Sequence, residues 1–257
     1  MILTVLGSGT SIPHPKRSSS AYWLEASGGT VLLDCSATAI YRSMQENLDW
    51  VNLDAIWISH FHLDHCGGLA PFLAGAKHAK QMQKRKKPLK IFGPPGIVSL
   101  IDSFNNANNY KLLEQPFPVE IIEIESLKKF EIVPGLDAVA MSTPHTTESH
   151  AIHLRDSDGS TLVYTADTGF TELLANFSAK VDLLIIEASY PKNKPQKKHL
   201  ELAEAMFIIR KAAPKRAVLT HLYPEWDDVH FSKEVDKFSA MCEVIEADDG
   251  LRLNIPK

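Results

Sequence analysis

The feature that most constrains this chain is a dense group of histidine and aspartate side chains directly after a short apolar segment. Ala55 to Ile58 is typical of a buried strand, and four potential metal ligands follow within six positions: His60, His62, Asp64 and His65. In an extended segment the side chains of residues 60 and 62 point to the same side, and residues 64 and 65 would lie where the extended segment ends and a helix begins. Buried histidine and aspartate without partners are costly, so this density favours a metal site.

Composition limits the alternatives. The chain has 257 residues, enough for a well-buried core, and we expect one domain over residues 1–257. Its net charge of −4 gives no global reason to expect polyanion binding. The three cysteines, Cys35, Cys66 and Cys242, are too few for a disulfide framework or a four-cysteine zinc site, which favours a reducing cytoplasm. The N-terminal apolar run stops at Leu6, so we expect neither a signal peptide nor a membrane span.

Short apolar segments alternate with turns and helices, which predicts an α/β fold of packed sheets covered by helices. The expected strands are Ile2 to Leu6, Tyr22 to Glu25, Val31 to Leu33, Ala55 to Ile58, Leu89 to Phe92, Glu120 to Ile124, Asp137 to Met141, Ala151 to Leu154, Thr161 to Thr165, Leu183 to Ile186 and Ala217 to Leu219. The clearest expected helix is Leu200 to Ala212, whose apolar residues recur at helical spacing. Weaker helices are expected at Thr38 to Glu46 and Ile97 to Phe104.

His-x-His-x-Asp-His after an apolar strand resembles the signature of the metallo-β-lactamase superfamily. Other segments resemble the motifs of this family in the expected order: Leu6-Gly7-Ser8-Gly9-Thr10, Leu32-Leu33-Asp34-Cys35, Thr143-Pro144-His145, Thr165-Ala166-Asp167-Thr168 and Leu219-Thr220-His221. The resemblance covers nearly the whole chain. It implies an α/β fold of the four-layered αββα sandwich type and the activity of a metal-dependent hydrolase.

The resemblance also implies two divalent metal ions, with zinc favoured and manganese or iron as alternatives. One ion would be held by His60, His62 and His145 and the other by Asp64, His65 and His221, with Asp167 bridging the two. Such a pair provides a metal-bound hydroxide as a nucleophile at neutral pH. Taken alone, His145, Asp167 and His221 could instead be a loop, a turn and a strand-end residue, respectively.

Two further segments resemble the phosphodiesterase branch, which includes ribonuclease Z. Lys87-Pro88-Leu89-Lys90-Ile91-Phe92-Gly93-Pro94-Pro95-Gly96 is similar to a segment common in that branch, and Glu187 followed by His199 is similar to its glutamate and helix-start histidine. In that branch the histidine lies near the leaving group, where it could donate a proton. His199 and Asp64 are therefore the expected catalytic residues. The alternative is that His199 merely caps or flanks a basic loop.

The segment between His145 and Asp167, which are 22 positions apart (167 − 145), departs from ribonuclease Z. Ribonuclease Z enzymes carry a long insert here that forms an arm for tRNA, whereas Ser149 to Thr165 suffices only for two strands joined by a turn. The chain is closer to compact relatives such as the cyclic phosphodiesterase of phosphonate breakdown, although it lacks the cysteine-rich zinc site often found in that relative. The expected substrate is a small or exposed phosphodiester, such as a nucleotide or RNA, and homodimers are common among relatives.

Three alternatives stay open. Lactone and thioester hydrolases share the same ligands, and a non-catalytic family member could act as a binding scaffold, although no ligand is missing here. The basic run from Lys77 to Lys90 is either a solvated face or an anion-binding surface that replaces the arm. Leu63 stands where flavin-linked iron relatives have a glutamate, which argues against redox iron chemistry.

Overall fold

Two seven-stranded sheets form the centre of the computed structural model, which describes residues 1–256. The first sheet consists of β1 (Ile2–Gly7), β2 (Ala21–Ala26), β3 (Gly29–Leu33), β4 (Ala55–Trp57), β5 (Leu89–Gly93), β6 (Val119–Glu123) and, at the C-terminal end of the chain, β14 (Arg252–Asn254). Its spatial order is β14-β1-β2-β3-β4-β5-β6. The pairs from β14 to β3 are antiparallel and those from β3 to β6 are parallel.

The second sheet has the same mixed organisation. It consists of β7 (Lys129–Val133), β8 (Leu136–Ser142), β9 (His150–Asp156), β10 (Thr161–Tyr164), β11 (Leu183–Glu187), β12 (Arg216–Thr220) and β13 (Glu243–Glu246), and these strands are neighbours in chain order. The pairs from β7 to β10 are antiparallel and those from β10 to β13 are parallel. The strands β8, β10, β11 and β12 therefore run in one direction, and their carboxyl ends meet at one edge of the sheet.

Helices cover both outer surfaces. They are α1 (Ala39–Gln45), α2 (Leu63–Cys66), α3 (Leu69–His78), α4 (Ile97–Asn106), α5 (Glu172–Phe177), α6 (Leu202–Ala212) and α7 (Phe231–Asp236). Within the described residues, no helix combines the length and the apolar character that a membrane span requires.

The strand period of two residues explains the four layers, because successive side chains point to opposite faces of a sheet. Along β11, Leu183 and Ile185 pack into the core between the sheets, whereas Leu184 and Ile186 pack outward beneath α6. Along β4, Trp57 points into the same central core, and Ile56 packs outward beneath α3. The expected αββα sandwich is confirmed by this arrangement.

The structure also refines the predicted elements. The helix expected from Leu200 begins at Leu202, because Glu201 forms a capping box with Glu204 and so acts as its N-cap. The predicted helix after the histidine-rich segment is confirmed, but it is divided into α2 and α3 at residues 67–68. Three strands were not predicted, namely β7, β13 and β14.

Candidate metal centre

The seven predicted ligands lie on loops and on the short helix α2 at one end of the two sheets. His60 and His62 follow β4, and Asp64 and His65 belong to α2; His145 follows β8, Asp167 follows β10 and His221 follows β12. Two of these loops contain strained backbone, since Ala166 has a φ of 51° and His221 a φ of 56°. Non-glycine residues rarely adopt this left-handed conformation, and it occurs preferentially at functional sites.

One group of side chains brings His60, His62, His145 and Asp167 together. His145 Nε2 is 3.1 Å from His62 Nδ1. Asp167 Oδ2 is 3.6 Å from His145 Nε2 and 3.8 Å from His60 Nε2. All are buried except His62, which is exposed at the mouth of the site.

A second group brings Asp64, His65 and His221 together on the other side of Asp167. Asp64 Oδ2 is 3.5 Å from His221 Nε2 and 3.8 Å from His65 Nε2. Asp167 Oδ1 is 3.3 Å from His65 Nε2, and Asp167 Oδ2 is 3.3 Å from His221 Nε2. The carboxylate of Asp167 thus lies between the two groups, where it can contact a cation in either one.

Hydrogen bonds behind the histidines direct their free nitrogens toward the centre. Asp34 Oδ2 accepts hydrogen bonds from His65 Nδ1 at 2.6 Å and from Ser59 Oγ at 2.8 Å. Because the hydroxyl of Ser59 donates to Asp34, its oxygen accepts from His60 Nδ1, which lies 3.0 Å away. Both imidazoles therefore carry a proton on Nδ1, and their Nε2 atoms face the site.

The same relay is repeated on the second sheet. Ser189 Oγ donates to Glu187 Oε2 at 2.6 Å and so accepts from His221 Nδ1 at 3.0 Å. His145 Nδ1 donates to the backbone carbonyl of Lys198 at 2.8 Å. Sequence reasoning did not identify the supporting roles of Asp34, Ser59 and Ser189. The aspartate after Leu32-Leu33 was a signal for the first, but the two serines carry no local sequence signal.

The donor set fits divalent metal ions. Among residues 1–256, no hydrogen-bond partner is found for four buried atoms, although buried polar atoms are nearly always satisfied: His60 Nε2, His65 Nε2, His221 Nε2 and Asp167 Oδ1. Two imidazole nitrogens bound to one tetrahedral zinc lie about 3.4 Å apart. The separation of 3.1 Å between the His62 and His145 nitrogens is close to that value. A cation within each group would satisfy these atoms.

Electrostatics at the centre favour positive charge. Burial opposes a charge on His65, but Asp167 and Asp34 outweigh it and raise the pKa of this imidazole well above its usual value. Burial likewise opposes the charge on Asp167, but His221 and His65 outweigh it and hold the pKa of this carboxyl well below its usual range. Burial lowers the pKa of both His60 and His145, which keeps these imidazoles neutral, as metal ligands must be.

His199 also lies at the centre. Its ring stacks on that of His221 with centroids 5.3 Å apart, and its Nδ1 is 3.1 Å from Glu187 Oε1 and 3.9 Å from Asp167 Oδ2. Burial disfavours its charged form, but the hydrogen bond and the charge of Glu187 outweigh burial and raise the pKa of His199. The side chain is therefore held inside the site by Glu187, and it is not a solvated flank of the basic loop.

Three members of the basic run from Lys77 to Lys90 make contacts within the protein. The guanidinium of Arg85 is buried and donates to the backbone carbonyls of Val51, Leu53, Lys87 and Pro88. Lys87 forms an ion pair with Asp54 at 2.6 Å, and Lys77 one with Glu114 at 3.6 Å. This arrangement supports the interpretation of a mainly structural, solvated face over that of an anion-binding surface.

A family model described as a beta-lactamase superfamily domain matches residues 30–222, a range that contains all the predicted metal ligands and His199. A ribonuclease Z of Methanosarcina acetivorans is 24% identical to the chain, and the match covers 99% of this chain and 98% of the relative. The ribonuclease Z of Shouchella clausii is 25% identical, and its match covers 86% of each chain. The first alignment spans 302 positions, more than the 257 residues present here, so that relative contains residues without a counterpart in this chain.

Solved structures show the same fold. The metallo-beta-lactamase fold protein YhfI from Bacillus subtilis has a TM-score of 0.81 and is 22% identical, covering 98% of this chain and 99% of its own. The short form of human tRNase Z has a TM-score of 0.76 and 22% identity, with both chains fully covered. A diphosphatase from the PhnP family has a TM-score of 0.74 and 19% identity, covering 99% of this chain and 98% of its own.

Proposed function

This chain belongs to the beta-lactamase superfamily and is a metal-dependent hydrolase, and from that premise we propose that it hydrolyses phosphodiesters at a pair of divalent metal ions, with zinc as the first candidate. The observation that carries the proposal is the set of hydrogen bonds that turn the Nε2 atoms of four histidines toward one carboxylate, Asp167. The histidines are His60, His65, His145 and His221. Nitrogen and oxygen donors without a thiolate suit zinc and also accept manganese or iron.

The two ions would be held by different groups of residues. His60, His62 and His145 would hold one, and Asp64, His65 and His221 the other, with Asp167 shared. A bound metal pair supplies an activated water and stabilises charge that develops on the phosphoryl oxygens. The role of the protein is to hold these ligands rigidly. Asp34 does so through its hydrogen bond with His65, and Glu187 does so through Ser189, which contacts His221.

His199 is proposed as the proton donor to the leaving group. Glu187 holds its Nδ1 at 3.1 Å and raises its pKa, which favours a protonated ring at neutral pH. The remaining ring nitrogen, Nε2, would carry the proton that is donated. A cationic imidazole beside the site would also stabilise negative charge on the phosphoryl group. A thioester expels a thiolate, which needs no proton donor, so the Glu187–His199 pair favours a substrate with an alkoxide leaving group, such as a phosphodiester, over a thioester.

The substrate is proposed to be small or exposed. β9 and β10 form an antiparallel hairpin that is closed by a short turn at residues 157–160. This hairpin occupies the place where ribonuclease Z enzymes carry their arm for tRNA. The curated relatives named ribonuclease Z support cleavage of a nucleic-acid phosphodiester, and the short hairpin favours a nucleotide or an accessible RNA end over a folded tRNA.

A substrate comparison with purified, zinc-loaded protein tests this function. We expect turnover of bis(p-nitrophenyl) phosphate and of cyclic or linear nucleotides, little processing of precursor tRNA, and little hydrolysis of a lactone or a thioester. The Asp167→Ala variant is the matched inactive control, and metal analysis should find two equivalents bound to the wild type. Rapid ester or lactone hydrolysis together with inert phosphodiesters would contradict the proposal. Less than one equivalent of bound metal would favour a non-catalytic family member.

A further inference from the structure

A cavity of about 700 Å³ opens directly in front of the candidate metal centre. His62 and His145 form part of its wall, and the aromatic ring of Phe61 forms another part. The remaining charged side chains on its rim are Glu148, Lys197 and Lys198. Cavities of this size accommodate a ligand of nucleotide dimensions, and the rim extends beyond the space that a single phosphoryl group would fill.

The backbone that carries the two lysines is fixed against the site. The carbonyl of Lys198 accepts the hydrogen bond from His145 Nδ1 at 2.8 Å. The carbonyl of Lys197 packs so closely on Gly169 that a Cβ atom at that glycine would lie 2.3 Å from it. The lysines therefore occupy defined positions beside a predicted metal ligand, and they do not belong to a loosely attached loop.

The ammonium groups of these lysines are available to a ligand. Within the described part of the chain, neither Lys197 nor Lys198 forms an ion pair, and both side chains are exposed. By contrast, Lys194 in the same loop is 2.7 Å from a Glu204 carboxylate oxygen and also donates to the carbonyl of His199 at 2.8 Å. The nearest acidic group on the rim, Glu148, accepts a hydrogen bond from the backbone nitrogen of Phe61 at 3.4 Å.

We propose that Lys197 and Lys198 form a subsite for a second phosphate group of the substrate, adjacent to the phosphodiester that is cleaved. The substrate class is then a nucleotide or oligonucleotide that carries at least one phosphate besides the scissile one. This inference rests on the proposed phosphodiesterase function and extends it. The lysines contribute specificity and substrate binding, since two exposed point charges side by side attract a dianionic group.

Nucleotide binding to the zinc-loaded protein tests the subsite without relying on turnover. Adenosine 3′,5′-bisphosphate and adenosine 5′-monophosphate are titrated by calorimetry into the wild type and the Lys197→Gln/Lys198→Gln double variant. We expect the wild type to bind the bisphosphate about tenfold more tightly than the monophosphate, as two charge-assisted hydrogen bonds allow. The double variant should lose most of this preference, and its affinity for the monophosphate should change less than about twofold.

Lys192→Gln is the matched control, because Lys192 is exposed in the same loop but does not line the cavity. It should retain the preference for the bisphosphate. Equal binding of the two nucleotides by the wild type would overturn the subsite, and so would an equal loss of both affinities in the double variant or the same loss of preference in Lys192→Gln.

Hydrolysis of bis(p-nitrophenyl) phosphate, which has no second phosphate, separates this inference from the proposed function. Its rate is measured in the wild type, where it reports on the metal centre without the subsite. If the wild type hydrolyses this compound but shows no preference for the bisphosphate, only the subsite is wrong. If the wild type hydrolyses no phosphodiester at all, the proposed function itself is wrong.

Discussion

At the scale of single residues, Asp34 connects the sheet framework to the candidate metal centre. It is fully buried and accepts hydrogen bonds from His65, from Ser59 and from the hydroxyl of Tyr164, the last at 2.7 Å. Its own φ of 60° places the carboxylate at the end of β3, facing the histidines. One side chain therefore orients His65 directly and His60 through Ser59.

Replacing Asp34 by asparagine should weaken metal binding without removing a ligand. Both carboxylate oxygens of Asp34 face donors, so the NH₂ group of asparagine would oppose either the backbone N–H of Ser59 or the protons of His65 and Tyr164, and the support of the imidazoles is weakened. We expect zinc affinity to fall about 10- to 100-fold, measured by competition with a chromogenic chelator. Asp156→Asn is the control, since this buried aspartate binds Ser27 and Ser157 in turns away from the centre. Unchanged zinc affinity in Asp34→Asn would contradict the supporting role.

His199→Ala should slow the chemical step while metal content stays unchanged. A general acid matters most when the leaving group is a strong base, so the loss should depend on the substrate. We expect kcat to fall about 100-fold or more for a dinucleotide, whose leaving alkoxide needs a proton, and much less for bis(p-nitrophenyl) phosphate. A loss of the same size for both substrates would show that His199 is not the proton donor.

At the scale of elements, the segment between α3 and β5 shows how a basic residue can stabilise the packing of the fold. Arg85 lies beneath the connection to β5, its guanidinium bonded to backbone carbonyls and 5.2 Å from the centre of the Phe117 ring. A guanidinium can satisfy several acceptors at once because its donors are arranged in a rigid fork. One of the basic residues in this segment, Arg85, is therefore a buried side chain that holds the surrounding backbone in place.

Arg85→Met should destabilise the fold, because several buried carbonyls lose their donor while the aliphatic volume is roughly kept. We expect a decrease of about 3 kcal/mol in the free energy of unfolding, measured by urea denaturation with fluorescence detection. Lys86→Met is the matched control, because Lys86 is exposed and its replacement should change stability by less than about 0.5 kcal/mol. A stability of Arg85→Met equal to that of the control would contradict the anchoring role.

At the scale of the whole molecule, the candidate metal centre joins the two halves of the sandwich. The segment after β4 in the first sheet carries the predicted ligands His60, His62, Asp64 and His65, whereas loops of the second sheet carry the other three predicted ligands. The hydroxyls of Tyr22 in β2 and Thr220 in β12 also lie 2.6 Å apart across this boundary. Metal binding should therefore stabilise the folded chain as a whole.

Removal of metal with a chelator should lower the melting temperature, and excess zinc should restore it. A zinc concentration of about 100 times Kd stabilises a folded protein by about 2.7 kcal/mol, which corresponds to roughly 5–10 °C for a chain of this size. Differential scanning calorimetry measures the shift. Asp167→Ala should lose most of the zinc-dependent increase, and a full increase in this variant would contradict the shared role of Asp167.

Most of the strands and part of the candidate metal centre could be predicted from the sequence, because the patterns that indicate them involve neighbouring residues. Short apolar segments between turns predicted most strands, and the close spacing of His60, His62, Asp64 and His65 predicted a metal site directly. The strands β7, β13 and β14 were missed because they lie at or near sheet edges and bury few side chains. For His145, Asp167 and His221 the residues alone left several roles open, and only their order along the chain, compared with a known family, favoured ligands.

The sequence by itself determined the layered fold and the donor types in the segment from His60 to His65, because apolar strand segments and closely spaced ligands are properties of neighbouring residues. Only the tertiary structure decided which nitrogens face the centre, since the acceptors behind them, such as Asp34 and Ser189, come from distant strands. It likewise decided that Arg85 is buried whereas Lys197 and Lys198 are exposed at the rim. Burial and electrostatic pairing depend on which segments meet in space, and residues of the same charge therefore acquire different roles.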